Sequence, residues 1–153
     1  MDLYTVLLFV HVLAAALWVG GGVMLHLIAE RAVKSEDATR IGTFLGDAEH
    51  TGKTFFGPAS GVTLLAGIWL VFEGDWGWDH VFILGGILGI LVSMGIGFGG
   101  IQPASMKVGQ ALATGGTVTD EVRAGLKRIQ TLARIDTLIL IVVVFLMTNK
   151  PGS

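Results

Sequence analysis

Apolar residues crowd into four stretches of this chain, and most of its charged residues gather between them. A bilayer core of about 30 Å takes roughly 20 mostly apolar residues in an α-helix. Four stretches meet that length, at about 3–29, 54–72, 81–101 and 129–148. The last does so only if Arg134 and Asp136 are accepted inside it. The pattern predicts an all-α fold, a bundle of four transmembrane helices forming a single integral membrane domain over 1–153.

The basic residues orient the bundle. Arg31, Lys34, Arg40 and Lys53 lie between helices 1 and 2, and Lys107, Arg123, Lys127 and Arg128 between helices 3 and 4. The connection EGDWGWDH has neither Lys nor Arg. An excess of Lys and Arg marks cytoplasmic connections, so both termini are expected on the outer side. Tyr4, Trp69, Trp76 and Trp78 then fall at one level, the outer interface that amphipathic rings prefer.

The basic connections carry helical signals of their own. In SEDATRIGTFLGDAEH, Ser35 reads as an N-cap with acidic residues in the following turn. Ala38, Ile41, Phe44, Leu45 and Ala48 recur at helical spacing, as an interfacial helix or an extension of helix 2. Thr119, Asp120 and Glu121 read as a helix start, from which helix 4 runs unbroken into the membrane. Pro103 is expected to end or bend helix 3, and ATGGT, 113–117, reads as a flexible turn.

Composition narrows the class. Only 14% of residues are charged, against about 25% in soluble domains, and the mean hydropathy is +0.73. The net charge of −2 argues against nucleic acid, which calls for a clustered basic face. With no cysteine, disulfides, iron–sulfur clusters and thiolate metal sites are excluded. MDLYTV places an acidic residue where a secretory signal is basic, so the first segment is expected to remain as a membrane helix.

Small residues form faces. Gly85, Gly89, Ser93 and Gly97 recur every four residues in helix 3, as Gly57 and Gly61 do in helix 2. Such faces let helices approach closely where lipid supplies no hydrophobic drive. They also leave a smooth groove for a flat ring, a porphyrin or a quinone. Gly20, Gly21 and Gly22 together suggest close backbone approach or a kink in helix 1.

Ionisable groups at membrane depth are functional candidates. His11 lies about 12 Å down helix 1, level with Thr63, as a satisfied structural imidazole or as a ligand of haem or a metal. His26 lies about 22 Å farther along, too far to share one metal with His11. The depth-compatible axial pairs are His26 with His50 and His11 with His80. Asp136 falls near the depth of His26, where a carboxylate would orient the imidazole. Arg134 points about 200° away from Asp136. It suits a carboxylate of the first connection, a lipid phosphate, a haem propionate or a snorkelling position. Met24, Met94 and Met106 are scattered and do not make a copper path. Neither a nucleophilic triad nor a phosphate-binding loop is present.

His11, Trp18 and Gly20–Gly21, followed by a glycine-rich second helix, resemble uncharacterised bacterial four-helix integral membrane proteins related to the membrane core of copper-resistance protein D. More distantly the chain resembles haem-dependent J-type protoporphyrinogen oxidase. The resemblance implies a haem-ligating histidine in the first helix, which falls on His11. VMLHLIAER stands where the oxidases carry Pro-Arg, and helix 3 has none of their lysine.

These observations lead to an expected multi-pass protein of the bacterial cytoplasmic membrane. It is expected to bind b-type haem for membrane redox or electron transfer through His11 or His26, with His50 as an axial partner and Arg134 and Asp136 tuning the site. Two other roles fit the same sequence. One is a non-catalytic subunit packed in a homo-oligomer or larger membrane complex; the other is a small-solute or metal permease.

Overall fold

A computed structural model of the chain describes residues 2–151. Among these, no strand occurs, and four helices are long and apolar enough to cross a membrane. They are α1 (Leu3–Lys34), α2 (Ala38–Glu73), α3 (Val81–Gly115) and α4 (Asp120–Asn149). Their lipid-facing surfaces are made of large apolar side chains, with Phe9, Leu65, Leu88 and Phe145 each more than 60% exposed. That exposure makes sense only if lipid, not water, covers them.

Contacts at the two ends fix the antiparallel order. Tyr4 lies against Gly74 in the α2–α3 connection, and Lys150 stands over the Trp76 ring at 4.9 Å. Both described termini therefore share the tryptophan end. At the opposite end Glu36 meets Arg123 at 3.7 Å, joining the α1–α2 connection to the start of α4.

All four helices are longer than a bilayer requires. The 36 residues of α2 span about 54 Å at 1.5 Å per residue. The surplus of α2, α3 and α4 gathers beyond the apolar belt as a helical extension with its own core of Ile41, Leu45, Val108, Leu112, Val122 and Leu126. The periodic run from Ala38 is thus continuous with the second membrane helix. Its N-cap is Asp37, whose Oδ1 accepts from the Thr39 and Arg40 amides at 2.9 and 3.2 Å. The expected Ser35 cap is corrected: its hydroxyl donates to the Ala32 carbonyl at 2.6 Å and closes α1 instead. Thr119 caps α4 as expected, accepting from the Val122 amide at 3.3 Å.

Pro103 does not end the third helix. α3 continues to Gly115, and Gly116 turns the chain with φ +63°, a left-handed conformation that costs glycine least. The helix survives because its ladder widens into a π-turn over Ile96–Ile101, with the Gln102 amide reaching the Gly97 carbonyl five residues back. α2 repeats the device. Its π-turn covers Gly52–Phe56, the Gly57 amide reaches the Gly52 carbonyl, and Pro58 follows. A proline ring collides with the carbonyl four residues earlier. Those carbonyls belong to Thr54 and Gly99, and each lies inside a π-turn. The wider ladder relieves the collision without breaking the helix.

Candidate functional site

The two π-turns face each other across a cavity. It holds about 240 Å³ and is bordered by all four helices. Gly52 and Phe56 from one π-turn and Gly97 and Phe98 from the other line it. Gly97 meets no neighbouring atom within 4 Å of where a Cβ would stand, so this backbone borders open space.

Its polar groups divide into two sets. Towards the extension end stand Glu49, Gln102, Ser105 and Gln130. Deeper, among Trp18, Met94 and Leu140, stand Ser93 and Asp136. Ser93 is 12 residues from the start of α3 and Asp136 is 13 from the end of α4, which puts both about 18–20 Å from the tryptophan end. They lie side by side, just past the middle of a core of about 30 Å. Ser93 is only 2% exposed. Its Oγ and the Asp136 Oδ1 are fully buried without a hydrogen-bond partner. Other hydroxyls of these helices, Thr63 and Thr137 among them, donate to the carbonyl four residues earlier. Ser93 does not; its hydroxyl lies beside the Asp136 carboxyl instead. A buried polar atom left unpaired costs about 1–3 kcal/mol.

His26 and Asp136 border the same cavity, yet they do not form the expected pair. Arg134 intervenes: its Nε donates to His26 Nε2 at 3.4 Å and its Nη2 donates to Glu30 Oε1 at 3.1 Å. Glu30 also lies 3.6 Å from His26 Nε2 and 3.9 Å from Lys34. The rotation of α4 that sends Asp136 into the cavity sends Arg134 to the rim. There its long side chain reaches the imidazole and the carboxylate together. Glu30 falls one residue beyond the span expected for helix 1, and its i,i+4 spacing from His26 is the signal that would have revealed it.

His11 sits elsewhere, between α1 and α2. Its Nδ1 donates to the Thr63 carbonyl at 2.8 Å. A carbonyl only accepts, so the proton is on Nδ1 and the Nε2 lone pair is left for another group. The ring lies over Gly67, where an added Cβ would stand 2.9 Å from Cε1.

A porphyrin does not fit the cavity with the helices placed this way. About 240 Å³ is below the roughly 300–1,000 Å³ of sites for drug-sized ligands, and His26 Nε2 already accepts the hydrogen bond from Arg134 Nε. His50 is exposed on α2 and is not among the residues bordering the cavity. His80 packs among Trp76 and Phe82 at the tryptophan end. Among the described residues, no three His, Cys, Asp or Glu side chains gather as a metal site. The histidine that retains a ligand's geometry is His11, through Nε2.

The small-residue face of α3 has two uses. At Gly85 and Gly89 a Cβ would run into Leu146 and Val143, so α4 fills that half. At Ser93 and Gly97 the same face turns into the cavity. In α1 the glycines also differ: Gly21 takes the edge of Phe56, whereas Gly22 borders the cavity.

A family model described as "Predicted integral membrane protein (DUF2269)" matches residues 5–151. No curated protein and no solved structure matches the chain.

Proposed function

The chain belongs to the DUF2269 family of predicted integral membrane proteins, and from that premise we propose that it is a membrane-embedded binding protein for a small amphipathic redox carrier. The ligand is a single oxygenated ring of the quinone class, held in the cavity between the two π-turns. One observation carries this reading: the buried Ser93 Oγ and Asp136 Oδ1, on two residues that border the cavity, lie side by side without a hydrogen bond of ordinary geometry. Ser93 can donate to a ring carbonyl, and Asp136 can accept from a ring hydroxyl. Trp18, Phe56 and Met94 supply apolar and aromatic walls, which suit a flat ring. The volume suits one ring, and its tail would leave between helices into lipid. The role is binding and positioning within membrane electron transfer.

Trp18 borders the cavity and serves as a probe. Titrating the protein in lipid nanodiscs with a short-chain quinone is expected to quench tryptophan fluorescence saturably. Ser93→Ala and Asp136→Asn are each expected to weaken that binding roughly tenfold, the worth of one buried hydrogen bond to a ligand. Quenching that stays linear with quinone, and is the same in both variants, would overturn the reading.

A second reading rests on His11. Its Nδ1–H is committed to Thr63 at 2.8 Å, the arrangement that orients a metal-binding imidazole and raises its basicity. On this reading His11 Nε2 ligates haem b at the surface of the bundle, with the second ligand or the covering face coming from another subunit. A Soret band lost in His11→Ala supports it. A colourless, folded protein after haem supplementation refutes it.

A further inference from the structure

We propose that the protein carries a separate seat for the phosphate of an anionic phospholipid, in the groove between α3 and α4 at the extension end. The groove is distinct from the central cavity and holds about 510 Å³. Its floor is made of small residues, Gly99, Gly100, Ala104 and Gly125, and its rim carries Lys107 and Arg128. Because α3 and α4 run antiparallel, two residues far apart in sequence border one opening.

Depth selects the ligand. A core of about 30 Å occupies roughly 20 helical residues. Counted from Val81 at the tryptophan end, α3 leaves the core near Ile101, and Lys107 stands six residues farther on, about 9 Å out. Counted from Asn149, α4 leaves the core near Ile129, so Arg128 stands at the boundary itself. The two cations thus bracket the layer in which phospholipid phosphates lie. Gly99 and Pro103 are exposed at the membrane edge of the groove, so an acyl chain can follow the surface of α3 while its phosphate enters between the helices.

The charges are uncommitted. Among the described residues, Lys34 and Arg134 pair with Glu30, Lys53 with Glu49, and Arg123 with Asp120 and Glu36. Lys107 and Arg128 make no ion pair. One carboxylate, Glu121, also borders the groove. It lies seven residues from Arg128 along α4, about 10 Å farther from the membrane and within about 3 Å of the depth of Lys107. Its negative charge therefore guards the aqueous mouth and disfavours a soluble anion entering from water. Arg128, at the boundary, keeps the membrane side positive. Basic recesses between transmembrane helices bind anionic head groups by this combination of charge and shape.

The test is native mass spectrometry of the full chain released from nanodiscs of equal phosphatidylglycerol and phosphatidylcholine. The wild type is expected to retain phosphatidylglycerol in preference. Each basic group near an anionic surface contributes about 1 kcal/mol, so Lys107→Gln/Arg128→Gln should lose roughly 30-fold of that preference. Arg31→Gln/Arg40→Gln removes the same charge from the same end and should leave it intact. Equal retention by the Lys107/Arg128 variant and the wild type would overturn the proposal. So would equal loss in the control variant, which would mean a diffuse charge effect. Displacement of the lipid by millimolar inorganic phosphate would also overturn it, marking a site for soluble anions. Circular dichroism of each variant separates a lost seat from a lost fold.

Discussion

Replacing Gly67 with alanine tests whether His11 is locked between α1 and α2 as its hydrogen bond implies. The new methyl group would stand 2.9 Å from His11 Cε1 and 3.2 Å from Nδ1. Carbon atoms do not approach that closely, so the ring must move away from Thr63, whose carbonyl it contacts at 2.8 Å. The cost has three parts. Forcing a methyl into a filled interface costs about 1–3 kcal/mol. An interhelical hydrogen bond in a membrane protein is worth about 0.6 kcal/mol on average and at most about 1.7. Alanine returns about 0.5–1 kcal/mol through its better helix propensity. Gly67→Ala should therefore destabilise the wild type by about 1–3 kcal/mol. In a His11→Ala background the obstacle is gone, and the same change should be neutral or stabilising. The coupling between the two sites is then about 1–4 kcal/mol, read from reversible unfolding in mixed micelles by tryptophan fluorescence. Independent sites add within about 0.5 kcal/mol. Additivity at that level would refute the claim that the imidazole occupies the space left by Gly67.

Three further outcomes follow from other parts of the structure. Gly89→Leu should separate α3 from α4 and lower stability by at least about 1–3 kcal/mol, because its Cβ would overlap Val143; Gly95→Leu, which meets no neighbour within 4 Å, should not, and equal effects in thermal unfolding would contradict the packing. Asp2 caps α1, and its hydrogen bonds with Thr5 hold its carboxyl below the usual carboxylate range. A depressed folded-state value means the stabilisation is present above the ordinary carboxylate pKa and is lost as pH falls through the folded one, so the melting difference between wild type and Asp2→Ala should be positive at neutral pH and shrink below about pH 4. The chain has no cysteine, so single Ser35→Cys and Asp79→Cys variants report topology cleanly. Charge placement predicts that an impermeant thiol reagent added outside intact cells labels Asp79→Cys and spares Ser35→Cys; the reverse result would invert the orientation.

Much of the architecture is legible from composition and periodicity. A membrane span announces itself by length and hydropathy alone, because lipid demands that each crossing satisfy its own backbone. The extension is legible for a different reason: Ile41 and Leu45 keep helical spacing in otherwise polar sequence, and they are the residues its core buries. The two π-turns are harder to see. A proline inside an apolar run, as at Pro103, reads as an end or a bend, yet Pro58 and Pro103 are each accommodated by a ladder widened around the carbonyl four residues earlier. Whether a helix ends or widens depends on the neighbours that hold it, and local sequence does not contain them. Glycine within a few residues ahead of each proline, Gly57 before Pro58 and Gly99–Gly100 before Pro103, is the signal that remains.

The candidate site was legible as residue types but not as partnerships. Depth along a helix estimates which residues share a level; it does not give the rotation that selects a neighbour. Level alone matches His26 with Asp136, and the rotation of α4 gives His26 to Arg134 instead. The same limit governs the glycine face of α3. Gly85, Gly89, Ser93 and Gly97 form one regular pattern, and either close packing or a groove satisfies it. What divides them is the facing residue on α4. Opposite Gly85 and Gly89 stand Leu146 and Val143, large enough to fill the space. One step farther down, Asp136 comes beside Ser93. A carboxyl there cannot fill an apolar gap without leaving an oxygen unpaired, and the π-turn that follows carries the α3 backbone out of an ordinary α-helical course. The packing face becomes a cavity where a polar group replaces an apolar one on the opposing helix. A Val or Leu at 136 should therefore close the cavity and stabilise the bundle while abolishing ligand binding, because filling the gap with apolar atoms removes both the void and the unpaired oxygen. Retained ligand binding in a well-folded Asp136→Leu protein would break that link between the orphan oxygen and the site.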